Sequence, residues 1–544
     1  GFEQFDNQKT WTFKNNVTFF GDRHVVKAGV KVSLNDLSRA EDNLGNGGYY
    51  FQPSTFTSFD ASTPQQAAVS VVPVRPATAK DTQIGLFVQD DWTVDDHLTI
   101  NAGLRWDYET NAKNEKFVTP TAIANALRNY QPWQAAGINP NDYISTGTNR
   151  KPYWKAFQPR LGISYDLNGD RDTIFFAGAG RYYDRPLFIA SGIETVKQLY
   201  QQTVTLSFCD GPGQPSCASI RATNNGALPA ATLAWNNNYK NVDALRAAAT
   251  ATGVGGEVWL LNNDTKLPYS DQFSLGLRTR FDALGVEVGY SHVESKDGFV
   301  FLLGNRRPDG SFFQSDPGPA EAPQTPFGFA PAGYGSIIIG DNGLETSADS
   351  AYVKLNKNYT LSSPWSLDAT YTYTEATENR QFGETFSFDY ASIDDYPVLR
   401  SSGVARHRFV IAGSADTPIG VTISGKFAYQ SPTFQKAFLN TSLPFERDIV
   451  GSEVFGNGDR WGSRQMDLAL TKYVPLNFIT DQTQIRFRVD VINLFNDRNY
   501  TDFNNNPADD TRTAGSPTIY RERVGYATGG YPPRTIKLSA GFSF

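Results

Sequence analysis

Arg534-Thr-Ile-Lys-Leu-Ser-Ala-Gly-Phe-Ser-Phe544 alternates apolar and polar residues to the last position. Ile536, Leu538, Ala540, Phe542 and Phe544 share one face, and Thr535, Lys537, Ser539, Gly541 and Ser543 share the other. A period of two defines a strand with two unlike sides. The same pattern recurs along the chain in segments of about ten residues, long enough to cross a bilayer at a tilt.

The segments come in pairs joined by tight turns. The pairs are Thr10–Phe20 with His24–Asn35, Thr82–Thr93 with His97–Tyr108, Pro159–Leu167 with Thr173–Tyr183, and Ser270–Phe281 with Gly285–Val293. Ser347–Leu361 with Trp365–Thr374, Val404–Ala415 with Gly420–Tyr429, and Ser463–Val474 with Gln482–Ile492 follow, and the C-terminal strand stands alone. Turns such as Gly21-Asp22-Arg23, Val94-Asp95-Asp96 and Asn168-Gly169-Asp170 carry the residues that short hairpins need. The other connections are long, about 36–81, 109–158, 184–269, 294–346, 375–403, 430–462 and 493–530. Compact soluble domains rarely hold repeated structureless loops of that size. The expectation is one domain over 1–544: an all-β, antiparallel transmembrane barrel of about fifteen strands, with short periplasmic turns and long extracellular loops. A large soluble sandwich with one wet face is the alternative.

Composition agrees. No stretch of eighteen or more apolar residues occurs, which excludes a helical membrane protein. A mean hydropathy of −0.42 does not exclude a barrel, because lumenal residues balance lipid-facing ones. Aromatic residues make up 13% of the chain, enough to furnish interfacial girdles. The net charge of −7 argues against nucleic acid as a partner. Cys209 and Cys217 are the only cysteines, and Asp-Gly-Pro-Gly-Gln-Pro-Ser between them makes a small disulfide loop easy in an oxidising compartment. The chain starts at Gly1, in mid-pattern and without a leader, as a mature or truncated piece would.

The faces assign the charges. Leu98, Ile100, Ala102, Leu104, Trp106 and Tyr108 oppose Thr99, Asn101, Gly103, Arg105 and Asp107. An Arg toward hydrocarbon costs about 2–4 kcal/mol at the midplane, so such arginines belong in the lumen. Candidates for a mixed-charge inner wall are Arg105, Asp107, Arg278, Arg280, Asp368, Arg406, Arg408, Asp467, Arg486, Arg488 and Asp490. Trp92, Trp106, Tyr182, Tyr183, Trp365 and Tyr473 lie at strand ends, where interfacial belts sit.

Ile84-Gly-Leu-Phe-Val-Gln-Asp-Asp-Trp-Thr-Val-Asp-Asp-His-Leu-Thr-Ile-Asn-Ala-Gly-Leu-Arg-Trp-Asp-Tyr108 resembles a barrel hairpin of the TonB-dependent outer-membrane receptors and transporters. Asp490-Val-Ile-Asn-Leu-Phe-Asn-Asp-Arg-Asn-Tyr500 resembles that family's penultimate strand, and the terminal Phe542 and Phe544 resemble its assembly signal. His24-Val-Val-Lys-Ala-Gly-Val30 and Arg406-His-Arg-Phe409 are similar to the Oar-like branch. The resemblance implies a bacterial outer-membrane location, a barrel of 22 strands, a preceding plug and a TonB-binding box. On that count Thr10–Phe20 is the eighth strand, and the plug and first strands are absent from this chain. The implied partners are outer-membrane lipid, TonB, the barrel-assembly machinery, and the protein's own plug or N-terminal fragment, gripped by the charged inner wall. The alternative is that the wall's charges only satisfy one another around water. The implied activity is TonB-energised movement of a nutrient or peptide-like cargo. A passive structural or adhesive barrel with binding loops is the second reading.

Catalytic chemistry is not indicated, and an enzyme is not expected. His24, His97, His292 and His407 are scattered over separate strands, and no nucleophile elbow, zinc-binding His-Glu-x-x-His or phosphate loop occurs. No cofactor or metal site is expected, although Asn504-Asn-Asn-Pro-Ala-Asp-Asp510 offers oxygen ligands for Ca²⁺ without the spacing of a known loop. In the loops, Tyr130, Trp133, Trp154, Trp235 and Tyr239 combine aromatic faces with nearby amides suited to sugars or peptides. Loop aromatics more often serve to pack the loops into a cap.

Overall fold

The computed structural model describes residues 3–42, 44–51, 63–72, 75–185, 188–212, 214–224, 226–229, 231–304, 330–331, 333–379, 386–387, 392–438, 449–452, 462–478, 483–501 and 529–544. Among the described residues, fifteen long strands form the wall. They are β1 (Glu3–Phe20), β2 (His24–Asp42), β3 (Ala77–Thr93), β4 (Leu98–Glu109), β5 (Ala156–Asp166), β6 (Thr173–Tyr183), β7 (Tyr269–Phe281) and β8 (Leu284–Leu303). Then come β9 (Ile337–Lys357), β10 (Trp365–Glu378), β11 (His407–Asp416), β12 (Val421–Gln430), β13 (Ser463–Pro475), β14 (Gln484–Ile492) and β15 (Thr535–Ser543). Each pairs antiparallel with the next in sequence, in one unbroken series from β1 to β15. Among the described residues no pairing joins β1 to β15.

Side-chain chemistry closes the short turns. The Asp95 carboxylate accepts the amides of His97 and Leu98, both at 2.8 Å. The Asp166 carboxylate accepts those of Gly169 and Arg171 at 3.1 and 2.7 Å, where φ is +75° and +65°. An Asx-type bond replaces the missing ladder partner and favours the left-handed turn residues.

At the turn end most strand bounds fall within two residues of the sequence expectation, but at the loop end several strands run on. β2 continues to Asp42 rather than Asn35, β8 to Leu303 rather than Val293, and β9 begins at Ile337 rather than Ser347. Beyond the bilayer no lipid enforces one apolar face, so the period-two signal fades while the ladder persists.

Among the described residues, the loops over 36–81, 109–158 and 184–269 carry structure of their own. Gly48–Tyr50, Gln66–Ser70, Thr203–Cys209 and Thr232–Ala234 form a four-stranded sheet, and helix Val242–Ala251 packs Leu245 and Ala249 onto Val69, Val204, Leu206 and Phe208. Helix Thr121–Arg128 places Ile123 and Leu127 with Trp133, Leu260 and Ile337 in a second core. The protein's buried apolar cores thus sit chiefly in a cap built by the loops. The wall does the reverse and turns its apolar side outward: Trp11 is 72% exposed and Leu538 75%. That surface is one for hydrocarbon to cover.

Candidate functional site: the lumenal wall and the loop cap

Register carries one apolar face around the wall. Leu34, Val32 and Val30 of β2 align with Thr82, Ile84 and Leu86 of β3, and Leu86 aligns with Trp106, which aligns with Phe157. The other face is lumenal. Three glycines there lie under aromatic rings of the next strand: Gly29 under Phe87, Gly276 under Phe176 and Gly289 under Tyr352. A Cβ on Gly276 would sit 2.3 Å from the Phe176 ring and 2.7 Å from the Val288 carbonyl oxygen. Each ring occupies the space that a side chain on the glycine would need.

Most of the charged residues expected in the lumen are found on that face. Arg105 donates to both oxygens of Asp107, Nε at 2.8 Å and Nη2 at 2.6 Å. Arg278 stands opposite Glu287, which also accepts the Tyr352 hydroxyl at 2.7 Å. Arg280 lies 3.8 Å from Asp172 beside a turn. Asp368 faces Asn356 and Ala412, and Arg408 faces Thr372 and Gln430. Asp467 accepts the Gln465 amide at 2.8 Å and the Asn493 N–H at 2.9 Å. Arg488 holds Asp490 at 2.8 Å, with Arg486 one row nearer the turn.

Three residues require correction. The first, Tyr182, was expected in the interfacial belt but aligns with Ser270 and faces inward, with the Arg160 guanidinium 4.6 Å from its ring. Arg406 precedes β11 and grips Glu375 at 2.9 and 3.0 Å, and Glu375 alternates with Tyr371 and Tyr373 on the outward face. Arg406 therefore belongs to the outer rim above the lipid, where a charge meets water and headgroups. Tyr473, expected in the interfacial belt, aligns with Arg486 and so faces inward. At the opposite, loop end of the wall, Trp106 does face outward, stacked 5.8 Å from Tyr108.

The four histidines do not meet. His24 pairs with Asp90 at 2.7 Å, His97 donates to the Asp166 carbonyl at 2.6 Å, His292 meets Asp349 at 2.8 Å, and His407 meets the Tyr371 hydroxyl at 2.8 Å. Each has a local partner, as structural histidines do.

In the cap, four of the five candidate aromatics are packed. Trp133 is fully buried, its indole N–H donating to the Gly304 carbonyl at 2.7 Å, and Tyr130 lies beside it. Trp235 meets Phe208 edge-on at 4.9 Å, and Tyr239 stacks on Phe208 at 5.8 Å. Trp154 alone is open, at 59% exposure, with the Lys155 ammonium 5.6 Å from its ring. Cys209 and Cys217 form a disulfide with Cα atoms 5.1 Å apart. They and Asp210 are the one metal-ligand-like grouping among the described residues, and with both sulfurs bonded to each other no thiolate remains for a metal. The Asn504–Asp510 segment lies outside the described residues.

Charge also holds the cap together. Arg150 from the β4–β5 loop and Glu194 from the β6–β7 loop pair at 2.6 Å with both side chains fully buried. Nearby, burial pushes the Glu115 carboxyl above its ordinary range and the Lys113 ammonium below its own.

A family model described as outer membrane beta barrel domain matches residues 1–431. The chain belongs to that family. No curated protein matches it. Among solved structures, the outer membrane transporter YddB from Escherichia coli is similar with a TM-score of 0.56 at 12% identity, covering 98% of this chain and 54% of that one. The siderophore receptor PirA from Acinetobacter baumannii gives 0.48 at 12% identity, covering 99% and 54%. The ferripyoverdine receptor of Pseudomonas aeruginosa gives 0.47 at 11%, covering 99% and 48%. The chain spans about half the length of these structures. The family model and the YddB match establish the fold: this is an outer-membrane β-barrel, and the proteins it resembles are transporters and receptors rather than enzymes.

Proposed function

We propose that this barrel is the wall of a TonB-dependent transporter of the Oar-like kind, moving a nutrient or peptide-like cargo across the outer membrane. The observation that carries the reading is the fifteen-strand wall itself, with a charged lumen and a packed cap, whose path follows an outer-membrane transporter over 98% of the chain. Paired lumenal charges such as Arg105–Asp107 can exchange partners with water or with a segment filling the lumen, so they hold an occupant without fixing it. The protein's own plug or N-terminal fragment is the occupant that suits this wall, TonB is the partner that would pull it, and Phe542 and Phe544 would present the assembly signal.

The packed cap favours a second reading, a passive or adhesive barrel whose loops bind a partner. Uptake of labelled peptides and nutrients by cells expressing the whole gene, with TonB present or deleted, separates the two. Uptake that vanishes without TonB supports the transporter. Unchanged uptake, or none beside steady conductance in planar bilayers, overturns it in favour of the passive barrel.

A further inference from the structure

The lumenal face of β12–β15 carries a recess of about 590 Å³ whose charge runs against that of the chain. Four cations line it, Lys426, Arg486, Arg488 and Lys537, against two carboxylates, Asp467 and Asp490. Register places them close together. Lys426 aligns with Asp467, Asp490 aligns with Lys537, and Arg488 and Arg486 occupy the next two rows on the same face of β14. Adjacent strands lie about 4.8 Å apart and same-face rows about 6.7 Å apart, so one small solute can reach several of these groups. Ala469 and Ser539 keep the floor shallow, leaving the long cationic side chains as its rim.

The carboxylates do not neutralise the rim. Asp490 is engaged by Arg488 at 2.7 Å, and one Asp467 oxygen is engaged by the Asn493 N–H and the Gln465 amide. Among the described residues, Lys426, Arg486 and Lys537 have no carboxylate within ion-pair distance. Clefts of one sign with low-dielectric walls concentrate counter-ions, and an Arg fork beside two ammonium groups suits planar or tetrahedral oxyanions. The volume lies in the range of small-molecule sites.

We propose that this recess binds a small solute bearing several phosphate or carboxylate groups, and that it is a station on the path through the lumen. The claim that it lies on a path rests on the transporter reading above; the claim that it binds does not. The overall charge of −7 disfavours an anionic cargo at the outer surface, and the recess supplies the attraction further in.

The test is calorimetric titration of the full chain, folded in detergent, with tripolyphosphate, citrate, oligoglutamate or neutral maltotriose. Saturable binding of tripolyphosphate or citrate, weakened by added salt and absent for maltotriose, is expected. The pair of anions tells phosphate from carboxylate. K426Q/R486Q/K537Q should weaken binding at least tenfold, and D467N, which removes a competing charge, should tighten it several-fold. The substituted side chains are lumenal and exposed, so far-UV circular dichroism should be unchanged; if the triple variant does not fold, D467N decides alone. No anion binding by the wild type, an unchanged affinity in the triple variant, no gain in D467N, or binding confined to oligoglutamate overturns the site. These measurements need no TonB, so their failure leaves the uptake result standing, and TonB-independent uptake leaves the binding result standing.

Discussion

Arg150 donates to both oxygens of Glu194, at 2.6 and 2.8 Å, with neither side chain reaching solvent. The two residues come from loops on either side of the β5–β6 hairpin. The remaining Arg150 donors reach Asn263 and the carbonyls of Lys113 and Leu261, while Glu194 also accepts from Asn114 and the Leu261 amide. With hydrogen bonds to both partners, the pair ties two loops into one body.

E194Q leaves the Arg150 charge buried without its counter-ion, a loss of about 3–5 kcal/mol. The cost should fall on the cap alone, because the wall's ladders do not pass through it. Limited proteolysis should cut E194Q within 110–155 and 188–268 while the wall resists. Replacing both partners with apolar residues (R150M/E194L) should restore much of the resistance. Equal resistance of E194Q and wild type would mean the pair holds nothing.

Gly276 tests the inner wall. Its missing Cβ is the space that the Phe176 ring fills, and the Val288 carbonyl blocks any sideways escape. G276A should lower stability by about 1–3 kcal/mol through overpacking. At Gly178, on the same face, the nearest atom lies 3.5 Å from where a Cβ would sit, so G178A should be tolerated. Urea unfolding of the two variants in one detergent makes the comparison, and a G276A midpoint equal to that of G178A would overturn the packing argument.

The wall was legible in the sequence because lipid imposes a rule on every second residue, and the turns were legible because Gly, Asp and Asn cluster at Val94-Asp95-Asp96 and Asn168-Gly169-Asp170. The Asp166 carboxylate that closes the second turn belongs by sequence to its strand. The cap was not. Its helices are short, and its cores join segments far apart in the chain, Trp133 to Gly304 and Val69 to Leu245, so no local period marks them. Arg406 was misplaced because beyond the bilayer either face of a strand tolerates charge. Tyr473 was misplaced because an aromatic at a strand end fits a belt or a lumen equally well. Lumenal pairs such as Arg105–Asp107, two residues apart on one strand, follow from alternation alone.

Leu104 and Thr370 measure the two faces directly. Leu104 is an outward residue in mid-strand on β4, and Thr370 is lumenal in mid-strand on β10. L104R should cost about 2–4 kcal/mol in lipid vesicles, and T370R should cost little. Folding titrations in vesicles read both. Equal costs would mean that the faces are wrongly assigned.

Glu115 gives the cap a dependence on pH. The residue is buried, its Oε1 has no hydrogen-bond donor, and burial raises its pKa above the ordinary carboxyl value. A raised pKa in the folded state means that its stabilising contribution is complete below the unfolded value and is lost as pH rises through the folded one. The cap should therefore loosen as pH rises above the ordinary carboxyl range. E115Q keeps the shape, supplies an N–H₂ donor and removes the charge, so it should flatten that dependence and stabilise the cap at neutral pH, by an amount on the order of 1 kcal/mol. The neighbouring Lys113 shifts downward, so its own contribution is full only at alkaline pH and does not produce the acid-side slope. Hydrogen exchange across 110–155, corrected for the intrinsic effect of pH, reads the change. A slope as steep in E115Q as in the wild type would assign it to another group.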